Sequence, residues 1–570
     1  MNFLRRHTDG VIAALLAAGT FLAVFFHSGG MGITRDESFY FDAAESHAGW
    51  FRTLLRAPRE ALQEGTIDRY YEINHEHPVL VKNLMALAHL AFGPAGRSQS
   101  SGEYVRAMRL PTHLNAALLA ALVFLFGTSV AGRRAGLLAA LLFVLVPRHF
   151  YHLHLACFDM PITTAWLAVV MAYRKADGSL RWSILTGLLF GLALSVKHNA
   201  FFIPLVLGLH WLIVKRREFS FGKAGLAFPR IPLAFFAMLL LGPLVLWLHW
   251  PWLWHHTFER VGFWLGFHLH HINYYWEFFG RLLTDPPFPW GYAFAVTAVT
   301  VPLPTLVLMA LGLFAALRDR LGPPLARLLQ RLRLWRRPAA ASPDGVDLAR
   351  ERDDWLLILN GLFPIVLISL PSVPIFGGVK HWLSAMPFLC VLAARYLDGA
   401  VARLGGAIAP AARRWIFAGS AALVLLPSLL GLARVGTYGT SFYNELAGGV
   451  PGAADLGMQR QYWSNNVTGV LPWLNENLPR GARLYLHEVT GEAFRFYQRD
   501  GWLRADVRMA WGPEDADFCA YQYHREFVDA EYRIWNQTGT RRILHGLYLD
   551  EVPVILVYDC RRQGAGAIRP

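Results

Sequence analysis

Apolar residues fall in long runs along this chain, at 11–27, 107–130, 135–150, 156–173, 183–197, 199–214, 230–250, 291–316, 355–371, 382–399 and 415–433. Runs of this kind predict helices that cross a bilayer, whose ~30 Å hydrocarbon core takes ~20 residues. Several are shorter, which leaves the span edges open by a few residues. The run at 79–93 is different, being short and carrying Lys82 and His89. It predicts a helix lying in or on the membrane surface. After residue 434 the pattern changes. Residues 435–570 are polar, carry turn signals such as Gly448-Gly449, and have strand-like runs at 483–488 and 552–559. This predicts a small α/β domain outside the membrane.

Lysine and arginine orient the spans. They cluster at Arg5/Arg6, Arg133/Arg134, Arg174/Lys175/Arg181, Lys215/Arg216/Arg217, Arg318 to Arg337 and Arg403/Arg413/Arg414. All six clusters fall on one side if 79–93 does not cross, and that side is cytoplasmic by the positive-inside rule. The expectation is a polytopic α-helical membrane protein of about 11 spans, with its N-terminus inside and its C-terminus outside. It divides into a membrane domain, 1–434, with a large outer loop at 28–106, and an extracytoplasmic domain, 435–570. The cytoplasmic loop 317–354 begins as a basic interfacial helix and continues as a linker, Pro338-Ala-Ala-Ala-Ser-Pro343.

Composition agrees: 54% of the 570 residues are hydrophobic, and the mean hydropathy is +0.31. The 54 Lys+Arg exceed the 40 Asp+Glu, but the excess sits between apolar runs. No soluble module carries a basic arm with interleaved aromatics, so nucleic acid is not the expected partner. No small-x-small cleavage site follows the first run, which is read as a retained anchor. Of the four cysteines, Cys519 and Cys560 share the tail; the sequence leaves a bridge between them open.

With this topology the unusual polar residues collect on the outer side. They are Asp36-Glu37, His75-Glu76-His77-Pro78, His149 to Asp159, Lys197-His198-Asn199, the stretch 249–289 and Lys380-His381-Trp382. Charge near membrane depth is costly unless it is paired or functional. Each residue alone has a plainer reading. Asp36 reads as the N-cap of a helix holding Phe39, Tyr40 and Phe41, and Asp159 as an N-cap before Met160-Pro161. Glu76 reads as a helix N-terminal acid, and Lys197 as a snorkelling lysine. The gathering of acids and bases on one face favours a site.

Five pieces in order carry a resemblance: Asp36-Glu37, Glu76-His77-Pro78, Phe158-Asp159-Met160-Pro161, Ser195-Val196-Lys197-His198-Asn199 and Lys380-His381-Trp382. The chain resembles the GT-C membrane glycosyltransferases that use polyprenyl-phosphate sugars, such as protein O-mannosyltransferases and lipid A aminoarabinose transferases. The tail pieces Phe442 to Gly449 and Gln461-Tyr462-Trp463 are similar to bacterial members. His77-Pro78-Val79 stands where the family often has His-Pro-Pro, and His381-Trp382 where it often has Arg-Tyr.

The resemblance implies an inverting transfer from a polyprenyl-phosphate sugar to a hydroxyl of a lipid, glycan or protein, at the outer face of a bacterial inner membrane. It implies Asp36 as the base. Glu37, Glu76 and Asp159 would hold the acceptor or position the base, and Lys197, His198, Lys380 and His381 would bind the donor phosphate. Lysine and histidine can neutralise a monophosphate leaving group, so no metal or cofactor is required. The histidine groups at 149–154, 255–256 and 268–271 fit no tight zinc spacing. The alternative function is a secondary transporter or lipid flippase; those tend to place charge at the midplane of inverted repeats, which this chain does not show. A non-catalytic scaffold is the further alternative.

Overall fold

The computed structural model describes residues 2–94, 102–222, 225–270, 272–331, 347–405, 408–539 and 541–561. His271 and the expected linker, within 332–346, lie outside the described residues.

Every apolar run forms helix. In chain order the helices that carry these runs and the site are α1 (Asn2–His27), α2 (Arg35–Arg56), α3 (Leu80–Phe92), α4 (Glu103–Ala131), α5 (Arg133–Leu145), α6 (Pro147–His154), α7 (Asp159–Arg174) and α8 (Leu180–Val196). They continue with α9 (Ile203–Val214), α10 (Leu233–His249), α11 (Thr257–Leu269), α12 (Tyr292–Thr300), α13 (Leu303–Arg331), α14 (Leu348–Ile368), α15 (Met386–Ala402) and α16 (Pro410–Val435). Among the described residues, four helical stretches are long and apolar enough to cross a membrane unaided, and the pair α5–α6, bent by 74°, makes a fifth. The others are shorter or broken. Pro147 starts α6 at the bend, and Pro302 separates α12 from α13. Proline disfavours helix at the residue before it and removes a backbone donor, so a continuous apolar run becomes two helices. α3 has 13 residues, about 20 Å, well short of a ~30 Å core.

Helices α8 and α10 pack closely because Gly187 and Gly191 are four residues apart on one face. A Cβ at Gly187 would lie 2.5 Å from the Ala237 carbonyl, and one at Gly191 would lie 2.4 Å from Val245 Cβ. Small residues at this spacing let two membrane helices meet at the backbone.

Four of the six basic clusters form ion pairs with acids of α1 and α14. Arg133 pairs with Asp9 (2.5 Å), Arg174 with Asp353 (2.6 Å) and Arg216 with Glu351 (2.7 Å). Asp354, 1% exposed, takes both Arg320 and Arg395 at 2.5 Å.

The C-terminal part carries a five-stranded sheet of β1 (Arg483–Leu486), β2 (Arg508–Met509), β3 (Phe518–Gln522), β4 (His545–Leu549) and β5 (Val552–Asp559), in the order β2-β1-β3-β5-β4. β1 runs parallel to β2 and β3; β5 is antiparallel to β3 and β4. Cys519 on β3 and Cys560 just beyond β5 are disulfide-bonded, with Cα atoms 6.2 Å apart.

This part is fastened to the bundle by buried polar contacts. Asp500 accepts from the Tyr104 and Val105 amides (2.8 and 3.2 Å), capping the start of α4. Arg148 of α6, 2% exposed, donates to the Phe442 carbonyl (3.0 Å) and lies over the Tyr443 ring. Arg495 and Arg499 pair with Asp42 and Glu45 of α2.

Candidate active site

The C-terminal end of α1 turns into α2 through a capping box. The Thr34 hydroxyl accepts from the Glu37 amide (3.1 Å), and the Glu37 carboxylate accepts from the Thr34 amide (3.0 Å). Thr34, not Asp36, is therefore the cap. A capping box satisfies two of the orphan N–H groups of a helix start. Asp36 is left free in the first turn, and its Oδ2 accepts from Lys380 Nζ at 3.0 Å.

Glu37 points the other way. Its side chain has no exposed surface and forms an ion pair with Arg109 of α4, which is equally buried. Arg109 donates through Nε (2.7 Å) and Nη2 (2.8 Å) to Glu37, and to the Met31 and Gly32 carbonyls. The Ala156 amide donates to Glu37 as well (2.8 Å). Glu37 thus has no oxygen to offer an acceptor, which corrects that half of its expected role. It anchors the α1–α2 turn, and so the position of Asp36, to α4 and the start of α7.

Lys380 sits on a 3-10 stretch, Gly378–Ala385, that begins at two left-handed residues, Gly377 (φ +65°) and Gly378 (φ +60°). Only glycine takes this conformation freely, and a Cβ at Gly378 would meet the Tyr462 hydroxyl at 2.8 Å. The turn brings the Lys380 ammonium 4.7 Å from the ring centres of both Phe376 and Trp463. Trp463 comes from the C-terminal part. It is held at φ +71°, and its carbonyl accepts from the Arg35 amide (2.9 Å).

A second pair lies alongside. Asp159 opens α7 as its first residue, behind Phe158 as N-cap with no side-chain cap bond, so the expected capping role is not seen. Its Oδ1 accepts from Lys197 Nζ at 2.7 Å, with both side chains nearly buried. Asp159 and Lys380 are within electrostatic reach of each other. His381 lies within electrostatic reach of Lys197, Lys380, Asp159 and His198. The His198 ring stacks on His268 with centroids 3.8 Å apart.

Glu76 approaches from the loop before α3. Its carboxylate accepts from the Asn74 amide group (2.7 Å). The loop is pinned by buried Lys82, which donates to the Asn74 and His77 carbonyls (2.6 and 2.9 Å). Burial first, then Lys82, His268, Lys197 and Lys380, hold the His77 imidazole well below its usual range, so it is neutral. Tyr40 lies one turn beyond Asp36 and stacks on Phe158 (4.1 Å). Burial, then Asp36, Cys157, Asp159 and Glu76, push its hydroxyl well above the ordinary range.

Asp36, Glu76, Asp159, Lys197, His198, Lys380 and His381 therefore share one neighbourhood, and Glu37 lies behind it. The sequence reading missed Tyr40, Arg109 and Trp463. Tyr40 was legible as the residue four beyond Asp36, on the same helical face. Trp463 stood in the tail piece Gln461-Tyr462-Trp463 without an assigned role, and Arg109 has no local signal. Among the described residues, no group of three or more His, Cys, Asp or Glu is arranged to hold a metal ion.

A helical bundle of apolar stretches, with ammonium and carboxylate groups paired at one mouth, describes a polytopic membrane protein. Residues 77–247 match the profile of the family described as dolichyl-phosphate-mannose-protein mannosyltransferase, so the resemblance read from the sequence holds there. That stretch contains His77, Asp159, Lys197 and His198 but neither Asp36 nor Lys380. Among solved structures, the chain is similar to ArnT from Cupriavidus metallidurans in the apo state, at 13% identity over 97% of this chain and 98% of that one, with a TM-score of 0.48. It is also similar to the apo oligosaccharyltransferase of Archaeoglobus fulgidus, at 13% identity over 93% and 70%, TM-score 0.44. A third is the arabinofuranosyltransferase AftD from Mycobacteria, at 14% identity over 96% and 40%, TM-score 0.38. No curated protein matches the chain.

Proposed function

We propose that the chain is an inverting glycosyltransferase that moves a sugar from a polyprenyl-phosphate donor to a hydroxyl of an acceptor at the outer membrane face. The observation that carries this reading is the Asp36–Lys380 contact at 3.0 Å beside the Asp159–Lys197 contact at 2.7 Å. Each ammonium is neutralised by a carboxylate, so an arriving lipid phosphate competes for it. When Lys380 turns to the phosphate, with Lys197 beside it, Asp36 is released.

The chemistry then balances without further groups. The acceptor oxygen attacks the anomeric carbon as the bond from that carbon to the phosphate oxygen breaks. Asp36 takes the hydroxyl proton. The lipid phosphate leaves with the bonding electron pair, and its growing charge is met by Lys380 and Lys197. Attack opposite the leaving group inverts the anomeric centre. His77, His198 and His381 line the phosphate path as hydrogen-bonding groups, and Asp159 and Glu76 position Lys197 and the acceptor. Trp463 closes the side facing the C-terminal part.

The test is incubation of the purified protein in lipid nanodiscs with radiolabelled polyprenyl-phosphate sugars and membrane extracts as acceptor source. Release of polyprenyl phosphate coupled to label in an acceptor supports the reading. Donor movement between leaflets without bond cleavage would instead support a flippase.

A further inference from the structure

The ends of the helices opposite the candidate site enclose a second cavity of about 380 Å³, bounded by the C-terminal ends of α7 and α9 and the starts of α8, α10 and α14. It is separate from the site. Asp159 and Arg174 stand at opposite ends of the 16-residue α7, about 22 Å apart along the axis.

Its polar wall is cationic and under-partnered. Arg174 is satisfied by Asp353 (2.6 Å) and Lys215 by Glu218 (2.7 Å). Arg230 and Arg352 also line the cavity and have no ion-pair partner among the described residues. Asp177 is the one acid on the wall and is not paired with either. Two buried donors there lack a hydrogen-bond partner, Nε1 of Trp211 and Nε of Arg352. A buried donor left unpaired is unfavourable, so the pair marks a place built for an acceptor. His210, 2% exposed, does not supply one. Its two ring nitrogens are engaged by the Tyr173 hydroxyl (3.2 Å) and the Arg352 carbonyl (3.1 Å).

The lip is apolar and open. Leu180, Ile231 and Leu233 are 64%, 48% and 43% exposed, at the level where the basic clusters mark the membrane surface. Arginines beside an exposed apolar edge match an amphiphile with an anionic head, and basic pockets between spans on this face suit anionic lipid headgroups.

We propose that this cavity seats the phosphate of an anionic lipid, with Arg230 and Arg352 as counter-charges, the Trp211 N–H as a donor and the lipid chains along Leu180, Ile231 and Leu233.

The test is native mass spectrometry of the detergent-solubilised full chain titrated with phosphatidylglycerol, phosphatidylcholine or inorganic phosphate. The wild type is expected to retain phosphatidylglycerol and not phosphatidylcholine. Retention should fall about thirtyfold in the Arg230→Gln/Arg352→Gln variant and about fivefold in Trp211→Phe, which keeps the ring and removes the donor. Unchanged thermal unfolding of Trp211→Phe and Arg230→Gln separates lost binding from lost folding. Equal retention by wild type and variants, or equal retention of both lipids, would overturn the proposal. Binding of inorganic phosphate without phosphatidylglycerol would overturn the lipid as its source.

Discussion

Glu37→Gln is expected to weaken the fold more than its neighbour's replacement does. Glu37 and Arg109 are both fully buried, and Glu37 accepts from Arg109 Nε, Arg109 Nη2, the Ala156 amide and the Thr34 amide. Glutamine keeps one acceptor oxygen and turns an NH2 group toward a guanidinium that can only donate. Arg109 then stays buried without a counter-charge. Removing one partner of a buried ion pair costs about 3–5 kcal/mol, a large share of a typical 5–15 kcal/mol total. Asp36 is 26% exposed, and among the described residues its carboxylate has one ion pair, with Lys380. Asp36→Asn keeps an oxygen acceptor there and should cost less than about 2 kcal/mol. The assay is thermal unfolding of the purified variants in one detergent, read by tryptophan fluorescence. Glu37→Gln should lower the midpoint by roughly 5–10 °C. Glu37→Leu/Arg109→Met, which removes both charges, should recover part of the loss. A Glu37→Gln midpoint within about 2 °C of wild type would refute the anchoring role.

Lys380→Ala should weaken donor binding by roughly 10- to 100-fold, the worth of a charge-assisted hydrogen bond, measured as donor Kd; an unchanged Kd removes Lys380 from the phosphate site. Trp463→Ala should weaken it by a smaller factor, about 2- to 30-fold, through the lost cation–π wall, and an unchanged Kd would leave the C-terminal part out of the site. The C-terminal part should lose stability on mild acidification. Burial lowers His487 to about 4 and His524 to about 3, so both fold as neutral rings. Their contribution is complete above the unfolded value of 6.5 and is lost as pH falls from there toward 4, by about 1.4 kcal/mol per pH unit per histidine. His524→Gln should flatten that slope, and an unchanged slope would refute the assignment.

The legible parts of this molecule were those written locally. Apolar runs announced the helices, and β1 and β5 begin where the runs at 483–488 and 552–559 suggested. The gathering of Asp36, Asp159, Lys197 and Lys380 followed from placing the arginine clusters on one side, because topology sorts loops even when sequence cannot pair residues. Two kinds of feature stayed hidden. The helix breaks inside two runs were not written in their hydropathy, which does not register the interruption that Pro147 or Pro302 makes in a continuous apolar run. Partners distant in sequence left no trace either. Glu37 and Arg109 are 72 positions apart, and nothing around Asp36-Glu37 says which carboxylate turns inward. The capping box distinguishes them, because Glu37 is the third residue after Thr34. Trp463 reaches Lys380 through a left-handed backbone that its flanking residues do not require.

The proposed role of Asp36 is that of the base in a sugar transfer. It is tested most directly by single-turnover transfer from a polyprenyl-phosphate sugar to acceptor by Asp36→Asn, alongside donor binding by the same protein. An amide in the same place can hold Lys380 but cannot take a proton. The rate should fall by ~10²–10⁴, with donor affinity and thermal midpoint near those of wild type. Turnover above about a tenth of wild type would contradict it and pass the base role to Glu76.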